Sequence, residues 1–166
     1  DAFAAGQGRA CTRFDYSGHG ESGGDFADGT IGRWLEDSLA VFTQRTAGPQ
    51  VVVGSSMGGW LALLLARELI RRGEGERLAA LVLISPAPDF TEDLMWKEFL
   101  PQIREEILQK GMWLRPSEYE APYPITRALI EDGRKHLIMG ASIATGCPVR
   151  ILQGAKDPDV PWQHAF

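Results

Sequence analysis

Two hydrophobic rhythms alternate along the chain. Ala10–Asp15 (A-C-T-R-F-D) reads as a short strand, ended by the glycine-rich Ser17–Gly24. Thr30 is suited to cap a helix, and after it apolar side chains recur at Ile31, Trp34, Leu35, Leu39 and Phe42. That spacing lays one apolar stripe along a helix. Gly48-Pro49 punctuates, and the valine run in Gln50–Val53 suits a strand buried on both faces. A sharp turn, Gly54–Gly59, leads into a predicted helix over Trp60–Arg72, where Arg71 and Arg72 favour the helix dipole. Leu78–Ser85 is a second buried strand, broken by Pro86 and Pro88. Val149–Gln153 is a further strand, followed by Gly154 and an acidic loop. Strands alternating with helices predict an α/β protein with a mainly parallel sheet.

Between Ala87 and Thr145 the rhythm breaks. Helical patterns at Glu92–Lys110 and Ile125–Ile138 flank a loop rich in proline and aromatics, Gly111–Pro124. The expected organisation is a core over residues 1–86 and 146–166, with a helical cap inserted at 87–145 over the top of the sheet.

Composition narrows the possibilities. The 166 residues carry 17 Lys plus Arg against 22 Asp plus Glu, a net charge of −5. That balance gives no electrostatic footprint for nucleic acid or for a polybasic membrane contact. The longest apolar stretch, Trp60–Ala66, falls well short of the roughly 18 residues a membrane span needs. Two cysteines, Cys11 and Cys147, make a disulfide framework unexpected and fit a reducing compartment. With no targeting peptide visible, a cytoplasmic location is expected. The Ala-, Arg- and Gly-rich composition suggests a bacterial source. Oligomeric state is left open.

The segment Val51–Gly59 carries the chemistry. It contains G-x-S-x-G at Gly54, Ser56 and Gly58, where a buried strand turns into a helix. A nucleophile elbow has this form, because a strained backbone position lifts the hydroxyl clear of the sheet. The residues two before and two after the nucleophile approach each other and must be small. Ser55 is the rival centre, but its corresponding neighbours, Val53 and Met57, are bulky. Ser56 is therefore the candidate nucleophile. The backbone N–H of Met57, which would open the helix, is a candidate oxyanion donor. A packing-only Gly/Ser turn is the bland alternative, and the strand before and the helix after count against it.

A serine nucleophile needs a base, and the base needs an acid to orient it. The candidate acid is Asp157, which follows the Val149–Gln153 strand across a short turn. Asp159 is the runner-up, its place before Val160-Pro161 suiting a helix cap. The base is not found. His19 lies before the serine, His136 ends a helix in the insertion, and His164 sits only a turn or two past Asp157. His19 could still line the site, since its loop leaves the same sheet edge. Gly18–Gly23 also matches the dinucleotide fingerprint G-x-G-x-x-G. No helix opens on its last glycine, and Glu21, Asp25 and Asp28 would repel a phosphate, so that reading is rejected.

Three strings together resemble serine α/β-hydrolases: Arg13–Ser22 (R-F-D-Y-S-G-H-G-E-S), Val53–Trp60 (V-G-S-S-M-G-G-W) and Leu152–Trp162 (L-Q-G-A-K-D-P-D-V-P-W). The likeness is to the branch typified by abhydrolase domain-containing protein 10, an acyl-glucuronide esterase and palmitoyl-protein thioesterase, and its bacterial relatives. The insertion string Lys110–Tyr119 is similar to that branch too. The resemblance implies the α/β-hydrolase fold, Ser56 as nucleophile, Met57 N–H as one oxyanion donor and Asp157 as triad acid. The family's other oxyanion loop and its catalytic histidine match nothing in this sequence.

In that fold a further strand lies between the Ala10–Asp15 and Val51–Val53 strands. The expectation is that these 166 residues are an internal portion of a longer chain. The expected activity is hydrolysis of a small-molecule carboxylic ester or thioester through an acyl-enzyme. In isolation the 166 residues are expected to be inactive, because the triad cannot close. Leu94, Met95, Trp96, Leu100, Trp113, Leu114 and Tyr119 could line an acyl pocket. No organic cofactor is implied, and no cluster has metal-ligand spacing. Alternatives are an aminopeptidase- or lipase-like hydrolase, or a non-catalytic binding protein on the same fold.

Overall fold

In the computed structural model, residues 2–116 and 121–165 are described. A short helix α1 (Ala2–Gly6) precedes α2 (Ile31–Arg45), strand β1 (Gln50–Ser55), α3 (Met57–Arg71) and β2 (Leu78–Ile84). Then come α4 (Pro101–Lys110), a hairpin of β3 (Met112–Arg115) and β4 (Tyr123–Thr126), α5 (Arg127–Gly133) and β5 (Val149–Leu152). The sheet is parallel in the order β1-β2-β5, with Val53 opposite Val82 and Leu83 opposite Ile151. No described helix is long and apolar enough to cross a membrane.

The stripe read from the sequence organises α2. Thr30 accepts from the Arg33 N–H at 3.2 Å, and Ile31, Trp34, Leu39 and Phe42 are buried. Helix α3 is apolar nearly all round, and Trp60–Ala66 and Leu69 are buried between α2 and the sheet. Strand alternation then decides which side chains meet it. Val52, Leu81, Leu83, Val149 and Ile151 pack into the core under α2 and α3. Their neighbours on the opposite face, Val51, Val53, Ile84 and Leu152, are exposed. The valine run is thus covered on one face among the described residues, not on both.

Four further expectations are corrected. Ala10–Asp15 joins no ladder; it runs beside a groove of about 970 Å³ that separates it from β1 and α3. A strand needs an adjacent partner, and none of the described strands lies there. Glu92–Lys110 is not one helix: a wide π-type turn (Thr91–Trp96) precedes α4, which starts at Pro101. Proline forces Leu100 into extended backbone at ψ 149° and then sits at the first helical position. Gly111–Pro124 is not all loop, because Trp113 pairs with Ile125 and Leu114 with Pro124 in the hairpin. The predicted Ile125–Ile138 helix starts only at Arg127, where Thr126 caps it by accepting from Leu129 N–H at 3.1 Å.

Candidate active site

The turn after β1 is strained at Ser56, with φ 51° and ψ −120°. A non-glycine residue holds such a conformation only where its surroundings impose it. Here they do so through close packing. A Cβ on Gly54 would lie 2.2 Å from the Gly58 carbonyl oxygen, and one on Gly59 would lie 2.8 Å from Pro86 Cβ. β1 and α3 therefore cross in backbone contact. Gly58 is less confined than expected, since its Cβ would meet only the Tyr16 hydroxyl, at 3.7 Å. The Ser56 N–H donates to Ile84 O at 3.0 Å, and Ser56 O accepts from Gly59 N–H at 2.9 Å and Ala87 N–H at 3.1 Å. Ser56 precedes α3 in the N-cap position, yet its hydroxyl makes no capping bond and the residue is exposed. The turn is thus more than a capped helix start. Met57 is the first residue of α3, where backbone N–H groups lack intrahelical acceptors.

Asp157 stands in the loop after β5. Its Oδ1 accepts from the N–H groups of Asp159 and Val160, both at 3.0 Å. The Val160 N–H, followed by the influence of the Ser85 hydroxyl, holds the carboxyl below the usual aspartate range. Gln153 braces the loop by donating to Val160 O at 3.0 Å. Asp159 is exposed and serves this turn through its own N–H.

The three histidines are held in other roles. His19 packs edge-on against Trp34 and Phe26, both with centroids at 5.1 Å. His136 Nε2 lies 3.6 Å from Asp132, whose carboxylate accepts from Gly32 N–H at the start of α2. Burial pushes the His136 pKa down, against the pull of Asp132. His164 Nε2 bonds Pro88 O at 2.6 Å. The glycine loop around His19 is likewise structural. Asp37 accepts from both Ser17 N–H and Ser17 Oγ–H, and Asp15 accepts from Glu21 N–H.

Of the expected pocket residues, Trp96 and Trp113 pack around Ile107, Ile125 and Ile130. Trp96 also lies under the guanidinium of Arg134 at 4.8 Å. Leu100 and Leu114 are exposed, and Tyr119 lies outside the described residues. Reading the sequence missed Ser85 and Asp89, two non-glycine residues of positive φ (41° and 56°). Buried Asp89 accepts from the N–H groups of Ile138 and Met139 at 2.8–3.0 Å, joining the start of the 87–145 segment to a point near its end. The available signal was a pair of polar residues flanking two prolines at a strand end.

Comparison with known proteins gives a consistent result. A model of the alpha/beta hydrolase family matches residues 1–165. The human mitochondrial palmitoyl-protein thioesterase ABHD10 is 37% identical over 168 residues, covering 100% of this chain and 53% of that protein. Its mouse counterpart is 39% identical, covering 100% of this chain and 54% of its own length. The chain thus spans about half the length of these relatives. Among solved structures, a putative hydrolase from Agrobacterium vitis S4 is 51% identical with a TM-score of 0.94, covering 99% of this chain and 64% of that one. Mouse alpha/beta hydrolase domain-containing protein 10 is 37% identical with a TM-score of 0.82, at the same coverages. The named ABHD10 relatives are mitochondrial, so they do not carry the cytoplasmic location expected from the lack of a visible targeting peptide.

Proposed function

The chain belongs to the alpha/beta hydrolase family and carries its fold, and from that premise we propose that it supplies the nucleophile and the acid of a serine hydrolase acting on esters or thioesters. The observation that carries this reading is Ser56 itself. A strained, exposed serine with an uncapped hydroxyl stands between a parallel strand and a helix N-terminus.

In the proposed reaction, Ser56 Oγ attacks the acyl carbon while its proton passes to a histidine imidazole. That histidine belongs to part of the protein outside these residues. The oxyanion is held by the Met57 N–H and one further donor, also outside. Collapse breaks the carbon–oxygen or carbon–sulfur bond, and the leaving group takes the proton. Water then attacks the acyl-enzyme by the same route in reverse, releasing acid and freeing Ser56. Asp157 keeps the imidazole in the required tautomer. The preference for a thioester or long-chain ester is supported by relatives named palmitoyl-protein thioesterases. It is further supported by the apolar residues of the 87–145 segment, which we assign as the cap.

The test is p-nitrophenyl ester hydrolysis by the longer protein beside its Ser56→Ala variant. The variant is expected to lose about a thousand-fold or more in kcat. Equal rates would overturn Ser56 as nucleophile. Residues 1–166 alone are expected to show no turnover, and a burst of product from them would overturn the division of the triad.

A further inference from the structure

Residues 84–88, the end of β2 and the turn after it, anchor the candidate nucleophile. Ile84 O accepts the Ser56 N–H at 3.0 Å, and the Ala87 N–H donates to Ser56 O at 3.1 Å. The loop that carries Asp157 is joined to this same stretch at both of its ends. Where the loop leaves β5, Leu152 O accepts the Ser85 N–H at 2.8 Å. Past the loop, the half-buried His164 ring reaches Pro88 O, with its Nε2 at 2.6 Å. A carbonyl oxygen only accepts, so this Nε2 carries a proton and the ring is the donor. The bonds inside the loop have a different effect. Asp157 Oδ1 accepts from the Asp159 and Val160 N–H groups, and Gln153 donates to Val160 O. They fold the loop on itself and would survive if it shifted as one piece. Buried Val160 adds packing, which has no preferred direction. Downstream of Asp157, the directional link from this segment to residues 84–88, among the described residues, is the His164 bond.

We infer that His164 is a positioning residue: its Nε2–H pins the far end of the Asp157 loop to the turn that anchors Ser56, and so holds acid and nucleophile to one frame. This rests on the serine-hydrolase reading above. His164 then acts through Asp157 and touches no reacting atom.

Four variants of the longer protein test this: His164→Gln, His164→Asn, Asp157→Asn and His164→Asn with Asp157→Asn. Glutamine carries an amide N–H donor where the imidazole Nε2 stands, while asparagine is one methylene too short to reach Pro88 O. With a p-nitrophenyl ester, His164→Asn should lower kcat about fivefold, the worth of one neutral hydrogen bond, at unchanged KM. His164→Gln should stay within about twofold of wild type, since it restores the bond that carries the effect. In the Asp157→Asn background, His164→Asn should cost nothing further, because it acts through that carboxylate. Wild-type kcat in His164→Asn would overturn the inference. So would an equal loss in His164→Gln, or multiplication of the two losses in the double variant. Each of those results leaves the serine-hydrolase reading standing if Ser56→Ala and Asp157→Asn are crippled. Wild-type kcat in Asp157→Asn, with Ser56→Ala inactive, would overturn Asp157 as the acid and this inference with it, while sparing the nucleophile.

Discussion

The crossing of β1 and α3 makes Gly54→Ala the sharpest probe of the elbow. Gly54 has no positive φ, so alanine adds no backbone strain and the effect is purely steric. The new Cβ would stand 2.2 Å from Gly58 O, 2.6 Å from Gly58 C and 2.9 Å from Gly59 N. All three are main-chain atoms at the start of α3, and none can turn aside as a side chain would. To reach ordinary contact the helix start must recede by about 1 Å, and a displacement of that size at a reacting group costs about 100-fold in rate. Gly59 cannot move freely, since it is already packed against Pro86. Overpacking of this kind also costs about 1–3 kcal/mol of stability. Esterase kcat and thermal melting of the longer protein would report both effects. Gly58→Ala is the comparison, since its Cβ meets only the Tyr16 hydroxyl among the described residues, and its loss should be smaller. A Gly54→Ala protein with wild-type kcat and melting temperature would refute close backbone approach as the cause of the Ser56 conformation.

The remaining predictions concern the frame. Asp89→Ala takes the buried carboxylate from the half-buried Ile138 N–H and from the Met139 N–H and should cost about 2–3 kcal/mol in urea denaturation; less than about 1 would count against the clasp. Burial depresses the His136 pKa, so as pH falls the unfolded chain binds its proton first. This contribution to stability is full above the unfolded value and is lost as pH falls through about 6.5, so His136→Gln should flatten the melting temperature between about pH 7.5 and 5.5. Unchanged pH dependence would refute that. Arg77 donates to Phe42 O and Thr46 O and lies 4.6 Å over the Phe42 ring, so Arg77→Lys should cost about 1–2 kcal/mol by calorimetry. Full stability in that variant would show that its forked contacts at the end of α2 contribute little.

The local features were legible and the non-local ones were not. The Ser56 turn could be read because its small residues and its serine lie within Gly54–Gly59, although Ile84, Pro86 and Ala87 also hold it. The α2 stripe was legible for the same reason: Thr30, Ile31 and Trp34 state the cap and the face within two turns. The break at Pro101 was written in the sequence too, but the surrounding apolar period concealed it. The β3–β4 hairpin lacks a turn signature, and its four-residue strands contain too few alternations to register, with Pro124 arguing against a strand. Ser85 and Asp89 could not be found from pattern, because their contacts, with Leu152 and with Ile138 and Met139, lie tens of residues away. Sequence order placed Asp157 in the loop after β5, where it stands. The N–H groups of Asp159 and Val160 fold the loop around its carboxylate.

The valine run of β1 states more than the described residues explain. Val52 is covered by the core under α2 and α3, while Val51 is 52% and Val53 63% exposed, with Ile84 and Leu152 beside them on the same face. A sheet with one wet face would alternate valine with polar residues; an unbroken run is the pattern of a strand covered on both sides. Our expectation is therefore that in the longer protein further structure covers this face and fills the groove between Ala10–Asp15 and β1. Val53→Lys measures it directly. On an open face the change would cost under about 0.5 kcal/mol, like other surface substitutions. Under a covering element it both forfeits the valine's burial and desolvates an unpaired ammonium, and the loss should reach about 3 kcal/mol or more. A loss below about 0.5 kcal/mol in the longer protein, by urea denaturation, would refute the covering of this face.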